Sequence, residues 1–225
     1  MFEDAGRLAQ IIDHTLVRPD ATLDDLARAC GEAKQFGFAS LVVSGSHVAR
    51  AKSALAGSPV KVGAVVGFPH GMSTTTVKIV EAMEAMKNGA EELDIVMNLG
   101  LARSGRLDLV EIDIKNVITM TKAVVHKVIM ETGMLNADEI KALCQVAVRS
   151  GAEFVKTGTG YGPRGVTAEA VRLMRQVVGS TCRVKAAGGI RDLATVAAMV
   201  EAGAERVGTS AGAAIMEEFL KQRKG

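Results

Sequence analysis

Ser150-Gly151-Ala152-Glu153 is a sequence motif that recurs in the chain, as Asn88-Gly89-Ala90-Glu91 and as Ala202-Gly203-Ala204-Glu205. In each copy an amphipathic stretch precedes the glycine and an apolar run follows the glutamate. Glycine is the residue that most often ends a helix in the left-handed conformation, and a continuous apolar run is typical of a strand buried on both faces. Each copy is therefore predicted to join the end of a helix to the start of a buried strand.

Extending this pattern along the chain predicts eight strands with helices between them. Helix starts are predicted at Thr22 and Asn136, where Asp25 and Glu139 complete the spacing of a capping box. The stretch 74–88 carries a helical stripe that we expect to face the core, formed by Val77, Ile79, Val80, Met83 and Met86. The predicted strands are 11–15, 40–43, 61–66, 93–97, 126–130, 154–157, 183–187 and 206–209.

Strands that alternate with helices predict a parallel sheet, and eight such units predict a (β/α)8 TIM barrel. The chain has 225 residues, only 4 prolines and no linker-like stretch, so we expect a single α/β domain over residues 1–225. An open, doubly wound sheet is the alternative, because periodicity alone does not show that a sheet closes. In both architectures the functional residues lie at the carboxyl ends of the strands.

The bulk composition favours a globular protein that acts on small molecules. Hydrophobic residues make up 48% of the chain, and 27 basic residues nearly balance 25 acidic ones, which argues against nucleic-acid or membrane partners. The cysteines Cys30, Cys144 and Cys182 are odd in number and have no CxxC spacing, as is typical of a reducing compartment. The first residues, 1–4, have no signal-peptide character, and no apolar run is long enough for a membrane span. We therefore expect a cytoplasmic location.

Two lysines carry the clearest chemical signal. Lys156 and Lys185 each close an apolar strand, one βα unit apart, and each is followed by glycines. A buried ammonium is costly unless it is paired, neutralised or used. In neighbouring parallel strands the two backbones run about 4.8 Å apart, and a second cation that close lowers the pKa of a lysine until its amine becomes nucleophilic. The pair therefore predicts a Schiff-base site.

Acidic and hydroxyl groups at strand positions extend this prediction. Asp94 interrupts the apolar strand Leu93–Met97 and, facing the lysines, could relay protons through a bound water; the alternative is an ion pair that only neutralises a lysine. Asp13 and Thr15 lie in the first strand and are candidates for substrate binding. Their alternative role is to satisfy neighbouring polar groups.

Three glycine-bearing loops follow the last three strands and predict a phosphate site, because backbone N–H groups beside glycines can approach a phosphate closely. No histidine or cysteine spacing predicts a metal site, and no dinucleotide-binding or P-loop motif is present. We therefore expect neither a metal nor a cofactor. The candidate phosphate-binding residues are Thr157, Gly160, Gly188, Gly189, Arg191, Gly208, Thr209 and Ser210.

Taken in order, these motifs resemble the deoxyribose-phosphate aldolase family over nearly the whole chain. The resemblance implies a (β/α)8 barrel that cleaves 2-deoxy-D-ribose 5-phosphate without metal or cofactor, with sugar phosphates and aldehydes as its ligands. Barrels of this kind often pair, so a homodimer or higher homo-oligomer is an expectation, for which no stripe of the sequence identifies the interface. It implies that Lys156 forms the imine, that Lys185 lowers its pKa, and that Asp94 works with a water in proton transfer. The motifs that carry it are 12–16 (IDHTL), 66–71 (VGFPHG), 92–96 (ELDIV), 155–157 (VKT), 184–191 (VKAAGGIR) and 206–210 (RVGTS).

Several positions differ from the family pattern. Gly158 stands where a serine is frequent, and Tyr161 stands where some members place a phosphate-contacting lysine. Val42-Val43-Ser44-Gly45 replaces the usual Cys-Val-Asn-Pro, and Ala211 replaces a second serine. These differences leave open a related lysine-dependent aldolase that acts on another hydroxyaldehyde. A barrel that binds a sugar phosphate without turning it over is the third alternative.

Overall fold

The computed structural model describes residue 2 and residues 4–223. Of the domain predicted over 1–225, Met1, Glu3, Lys224 and Gly225 lie outside the described residues. Eight strands alternate with helices along the chain. The strands are β1 (Ile12–Leu16), β2 (Ser40–Val43), β3 (Lys61–Val66), β4 (Glu92–Val96), β5 (Val125–Ile129), β6 (Phe154–Lys156), β7 (Arg183–Ala187) and β8 (Arg206–Thr209).

The strands form a closed parallel barrel in the order in which they occur in the chain. Each strand pairs with the next, and β8 pairs with β1 through Asp13 and Gly208, which closes the ring. The predicted (β/α)8 barrel is therefore confirmed, and each predicted strand agrees with the observed one to within one residue at either end. Within the described residues, every helix is too short or too polar to cross a bilayer.

The helices surround the barrel, and several begin where the sequence predicts. The capping boxes at Thr22 with Asp25 and at Asn136 with Glu139 are both formed. Each box satisfies backbone N–H groups that a first helical turn leaves without partners. The helices are α1 (Ala5–Ala9), α2 (Leu23–Phe36), α3 (Val48–Ala54), α4 (Thr75–Lys87), α5 (Leu99–Arg103), α6 (Leu107–Met120), α7 (Ala137–Ser150), α8 (Ala168–Val178), α9 (Leu193–Glu201) and α10 (Gly212–Gln222).

The repeated Gly-Ala-Glu motif ends a helix with a left-handed glycine in all three copies, as predicted. Gly89, Gly151 and Gly203 have φ values of 104°, 90° and 106°, in the left-handed region. The alanine after each glycine donates its N–H to a carbonyl five residues earlier, as Ala152 does to Ala147 at 3.1 Å. This is the bond of a Schellman motif, which ends the helix and turns the chain back toward the barrel.

The apolar core lies between the barrel and the helices. Side chains of a strand alternate between two faces, and the outward positions of β2 and β4 carry Leu41, Val43, Leu93 and Ile95, all fully buried beneath the helices. The inward positions of several strands carry charged groups instead. The interior of this barrel is therefore a buried polar network rather than an apolar plug.

The predicted stripe on α4 faces the core only in part, since Ile79 and Met86 are partly buried and pack against the core. Val77, Val80 and Met83 are 53%, 59% and 46% exposed, whereas Lys78 and Ala82 face the barrel. The buried ammonium of Lys78 pairs with a carboxylate of α6, and the small alanine side chain leaves room for close packing. An ion pair therefore helps to orient this helix, and Val77, Val80 and Met83 form a stripe on the protein surface.

Candidate active site

The strand register brings charged side chains into one cluster inside the barrel. Lys156 of β6 pairs in register with Lys185 of β7, and Asp94 of β4 pairs with Lys127 of β5. All four side chains are nearly or completely buried. The two lysines that the sequence singled out are therefore neighbours, as the repeat pattern predicted.

Asp94 is the carboxylate that the lysines share. Its Oδ2 accepts from Lys156 Nζ at 2.7 Å and from Lys185 Nζ at 2.8 Å, and its Oδ1 accepts from Lys127 Nζ at 3.1 Å. Burial by itself would raise the pKa of Asp94, but the three neighbouring cations hold it well below its usual range. Asp94 is thus an ionised acceptor at the centre of the cluster.

Lys156 differs from an ordinary lysine in the ease with which it loses its proton. Burial lowers its pKa to about 8, with Lys185 and Lys127 adding to the effect and Asp94 opposing it. A pKa near 8 leaves an appreciable fraction of free amine near neutral pH. Lys156 therefore has the property that a Schiff-base nucleophile requires.

Asp13 lies on the inward face of β1 and holds the other side of the cluster. Its Oδ2 lies 2.5 Å from Lys185 Nζ, and its Oδ1 accepts from Ser40 Oγ and from Arg206 Nη1, both at 2.6 Å. Burial would raise the pKa of Asp13, but Lys185, Lys127 and Arg206 hold it below its usual range. In this structure the carboxylate is enclosed by protein groups, and its part in substrate binding stays a prediction.

Lys127 and Glu92 complete the network. Lys127 Nζ lies 2.5 Å from Glu92 Oε2 and 3.7 Å from Asp13 Oδ2. Burial would lower the pKa of Lys127, but the carboxylates of Asp94, Asp13 and Glu92 raise it above its usual value. Three carboxylates therefore face four cationic side chains in this interior network, which is balanced in charge when one of the four is neutral. Lys156, with its pKa lowered to about 8, is the cation of this network for which loss of the proton is made easier.

Most of the predicted phosphate-binding residues lie in loops at the carboxyl ends of the last three strands, whereas Gly208 and Thr209 are the last residues of β8. Gly160, Gly188 and Gly189 have φ values of 87°, 114° and 81°, and Arg191 and Ser210 are exposed beside them. Three consecutive strand ends thus present glycines and polar groups on one side of the barrel mouth. Whether these groups bind a phosphate stays a prediction.

Two predicted binding residues use their hydroxyl groups within the protein. Thr157 Oγ1 donates to Ala187 O at 2.7 Å and accepts from Ala187 N at 2.8 Å, which joins the ends of β6 and β7. Thr209 Oγ1 donates to Ile190 O at 2.7 Å and accepts from Ala211 N at 2.9 Å. Both side chains are buried, so in this structure their hydroxyls shape the loops rather than face the mouth.

Thr15 and His14 flank Asp13 but do not join the charged cluster. Thr15 Oγ1 donates to Asp13 O at 3.0 Å. The ring of His14 points the other way, with Nε2 at 2.8 Å from Glu32 Oε2. These contacts agree with the alternative in which polar groups at the strand end satisfy one another, and substrate binding by Thr15 stays a prediction.

Glu131 shapes the loop that follows Lys156. It is nearly buried and has a φ of 56°, which makes it the non-glycine residue with positive φ among the described residues. Its Oε2 accepts from Thr159 N at 3.1 Å and also from Thr159 Oγ1. A Cβ at Gly158 or Gly162 would lie 2.8 or 2.5 Å from Glu131 Oε1, so both glycines are needed for this close approach.

Sequence reasoning missed four members of this site, namely Glu92, Lys127, Glu131 and Arg206. A signal was available for three of them, since Glu92 precedes Asp94 by two residues and Lys127 and Arg206 interrupt or open apolar strands. A spacing of two puts residues on the same face of a strand. Among the described residues, no group of three or more histidine, cysteine, aspartate or glutamate side chains is placed to hold a metal ion.

Comparisons with known proteins agree with this geometry. The family described as "DeoC/LacD family aldolase" matches residues 7–218. The chain is 46% identical to a deoxyribose-phosphate aldolase of Caldanaerobacter subterraneus subsp. tengcongensis over 99% of this chain and 98% of the relative.

Two solved structures also match over almost the full length. One, described as "QR15, an Aldolase", is 41% identical with a TM-score of 0.93, and 99% of both chains is covered. The other, described as the unique tetrameric structure of deoxyribose phosphate aldolase from Aeropyrum pernix, is 31% identical with a TM-score of 0.92 and covers 98% of this chain and 94% of its own. TM-scores this high over nearly the full length show that both have the same overall fold as this chain.

Proposed function

Because the chain belongs to the DeoC/LacD aldolase family, we propose that it is a carbon–carbon lyase that reversibly cleaves 2-deoxy-D-ribose 5-phosphate to acetaldehyde and D-glyceraldehyde 3-phosphate. The observation that carries this proposal is the Lys156 amine, which shares the carboxylate of Asp94 with Lys185 and has its pKa lowered to about 8. The full-length relative at 46% identity, a deoxyribose-phosphate aldolase, supports the choice of substrate.

Lys156 begins the reaction as the nucleophile. The free amine adds to the C1 aldehyde of the open-chain sugar, and loss of water gives a protonated imine. This cation accepts electrons from the C2–C3 bond once the C3 hydroxyl loses its proton, so the bond breaks and glyceraldehyde 3-phosphate leaves. Protonation of the remaining enamine at C2 and hydrolysis of the imine release acetaldehyde and return the amine.

Asp94 and Lys185 handle the protons of these steps. Asp94 is ionised and lies 2.7 Å from the reacting nitrogen, so it can accept a proton directly or through a water. Lys185 donates to the same oxygen at 2.8 Å, which places a proton donor beside the imine. As Lys156 becomes a cationic imine, the interior gains a charge, and the ionised Asp94 stabilises it.

The phosphate end of the substrate is proposed to bind the loops after β6, β7 and β8. Gly160, Gly188 and Gly189 expose backbone at the mouth, and Arg191 and Ser210 add a cation and a hydroxyl. The loop after β8 leads directly into α10, an eleven-residue helix that starts at Gly212, and a helix start favours an anion. These features support a phosphate subsite formed by the loop that follows Lys156 and by the loops after the next two strands.

We also propose that the protein acts in the cytoplasm and assembles as a homo-oligomer. Its three cysteines are buried free thiols, which suits a reducing compartment. The exposed stripe Val77, Val80 and Met83 on α4 is an apolar surface of the kind that protein interfaces cover. A tetramer is described for the Aeropyrum pernix relative, which supports association of this chain as well.

The decisive experiment is to trap the imine. The protein is incubated with acetaldehyde and sodium borohydride, and the adduct is mapped by mass spectrometry, with Lys156→Ala as the matched control. A two-carbon adduct at Lys156 that the variant lacks, together with release of glyceraldehyde 3-phosphate from 2-deoxy-D-ribose 5-phosphate, is expected. A folded protein without an adduct at Lys156 would overturn the proposal.

A further inference from the structure

Tyr161 makes contacts that no step of the proposed reaction requires. Its hydroxyl donates to Val17 O at 3.3 Å. Its ring meets the ring of Phe68 edge to face, with 5.6 Å between centroids and an interplanar angle of 86°, which is a favourable geometry for an aromatic pair. The side chain remains 50% exposed, so it is a surface residue with two specific partners.

The positions of these partners in the barrel show where Tyr161 lies. Val17 follows β1, Phe68 follows β3 and Tyr161 follows β6. In the ring of eight strands, β6 is separated from β1 by two strands and from β3 by two others. A side chain that starts after β6 and touches the loops after both β1 and β3 must therefore cross the opening of the barrel, at the end where Lys156 lies.

The loop holds Tyr161 in this position. Tyr161 N donates to Thr159 Oγ1 at 3.0 Å, and Thr159 is itself held by the nearly buried carboxylate of Glu131. Because Glu131 follows β5, the base of the bridge is fixed to the neighbouring strand as well as to β6. A side chain fixed in this way can limit the size of the substrate that enters the barrel.

We propose that Tyr161, with Phe68 and Val17, forms a bridge across the barrel mouth and is a specificity-determining residue that limits the size of the aldehyde reaching Lys156. This inference rests on the proposed aldolase function and deepens it. The bridge narrows the mouth through which the acceptor aldehyde passes. It disfavours acceptors with bulky groups next to the carbonyl.

The first test measures aldehyde selectivity in the synthetic direction. Acetaldehyde is the donor, and unphosphorylated acceptor aldehydes of increasing size compete for the enamine in wild type, Tyr161→Phe and Tyr161→Ala. We expect Tyr161→Ala to raise the ratio of kcat/KM for large over small acceptors by at least about tenfold, as contacts worth one or two methylene groups do. Tyr161→Phe keeps the ring and should stay near wild type. An unchanged ratio in Tyr161→Ala would overturn the proposal, whereas simple destabilisation would lower all rates alike.

A second test does not depend on catalysis. The chain has a single tyrosine and no tryptophan, so its ultraviolet emission reports on Tyr161. Removing the edge partner in Phe68→Leu should free the ring, and we expect acrylamide to quench its emission more strongly than in wild type. Equal quenching would show that the bridge is not formed in solution and would also overturn the proposal.

The outcomes separate this inference from the proposed function. A wild-type protein that gives no adduct at Lys156 refutes the aldolase activity, and the quenching comparison then still decides whether the bridge exists. A wild type that forms the adduct, with an acceptor ratio that Tyr161→Ala leaves unchanged, refutes the specificity role alone.

Discussion

Replacing Lys185 with methionine should raise the pKa of Lys156 and move imine formation to higher pH. The two ammonium groups donate to the same oxygen of Asp94, at 2.7 and 2.8 Å, which places the nitrogens about 4.5 Å apart for an ordinary angle at the acceptor. With an effective dielectric constant near 20, two unit charges at that separation repel by about 3.7 kcal/mol. This repulsion corresponds to a pKa change of about 2 to 3 units.

The direction of the pKa change depends on which protonation state of Lys156 is disfavoured by Lys185. Lys185 disfavours the ammonium form of Lys156, so its removal favours that form and raises the pKa from about 8 toward the ordinary value of about 10.4. Near pH 7.5 the fraction of free amine then falls roughly a hundredfold. The rate of imine formation should fall with it and recover about tenfold for each unit of added pH.

The assay is reductive trapping with acetaldehyde between about pH 6 and pH 10, with the adduct at Lys156 quantified by mass spectrometry. The wild-type rate should level off above pH 8, whereas the rate of Lys185→Met should still rise there. Lys185→Arg, which keeps the charge, is the matched control and should lie closer to wild type, and circular dichroism checks that all three are folded. A Lys185→Met profile that levels off at the same pH as wild type would refute the electrostatic account.

Three further predictions concern the rest of the molecule. Lys78→Met leaves the carboxylate of Asp113 buried without its cation and should lower the free energy of unfolding by about 3 to 5 kcal/mol. Urea denaturation measures this loss of stability. Lys78→Met combined with Asp113→Leu should recover most of the lost stability. Val42 is fully buried on the inward side of β2 and stands where the family usually has a cysteine. Because valine has no nucleophilic group, crotonaldehyde should not inactivate the enzyme through this strand. An adduct mapped to β2 by mass spectrometry would contradict that expectation. Val80→Glu places a charge in the exposed stripe of α4, which is proposed to be covered in the oligomer. The variant should therefore dissociate, and the molecular mass measured by light scattering should fall. An oligomer of unchanged mass would exclude this stripe as the interface.

The fold could be predicted because each local signal points to the same architecture. The motif around Gly151 marks the end of a helix and the start of a strand, and the same motif recurs at Gly89 and Gly203. Closure of the sheet could not be derived from these signals. It depends on the pairing of Asp13 with Gly208, a contact between the two ends of the chain that no local pattern encodes.

The orientation of α4 shows where periodicity misleads. Val77, Val80 and Met83 are predicted to be buried but lie on the surface, and of the predicted stripe only Ile79 and Met86 pack against the core. Burial of a lysine is normally costly, so no local pattern predicts that Lys78 lies against the barrel. Its partner Asp113 lies 35 residues away on another helix, and only the folded structure brings the two charges together.

The central pair of lysines could be found from the sequence, but their different roles could not be derived from it. In register Lys156 and Lys185 are equivalent neighbours, each at the end of an apolar run. Their carboxylate partners distinguish them. Lys185 lies between Asp13 and Asp94, at 2.5 and 2.8 Å, and is completely buried, whereas Lys156 has Asp94 alone and keeps a small exposed surface at the carboxyl end of its strand.

This asymmetry supports Lys156 as the proposed nucleophile. Lys185 contacts two carboxylates, and attack on a carbonyl would require it to leave both ion pairs. A lysine that faces one shared carboxylate and two further cations loses its proton more readily. We therefore expect Asp13 to contribute indirectly as well, because it pairs with Lys185, a neighbour that lowers the pKa of Lys156.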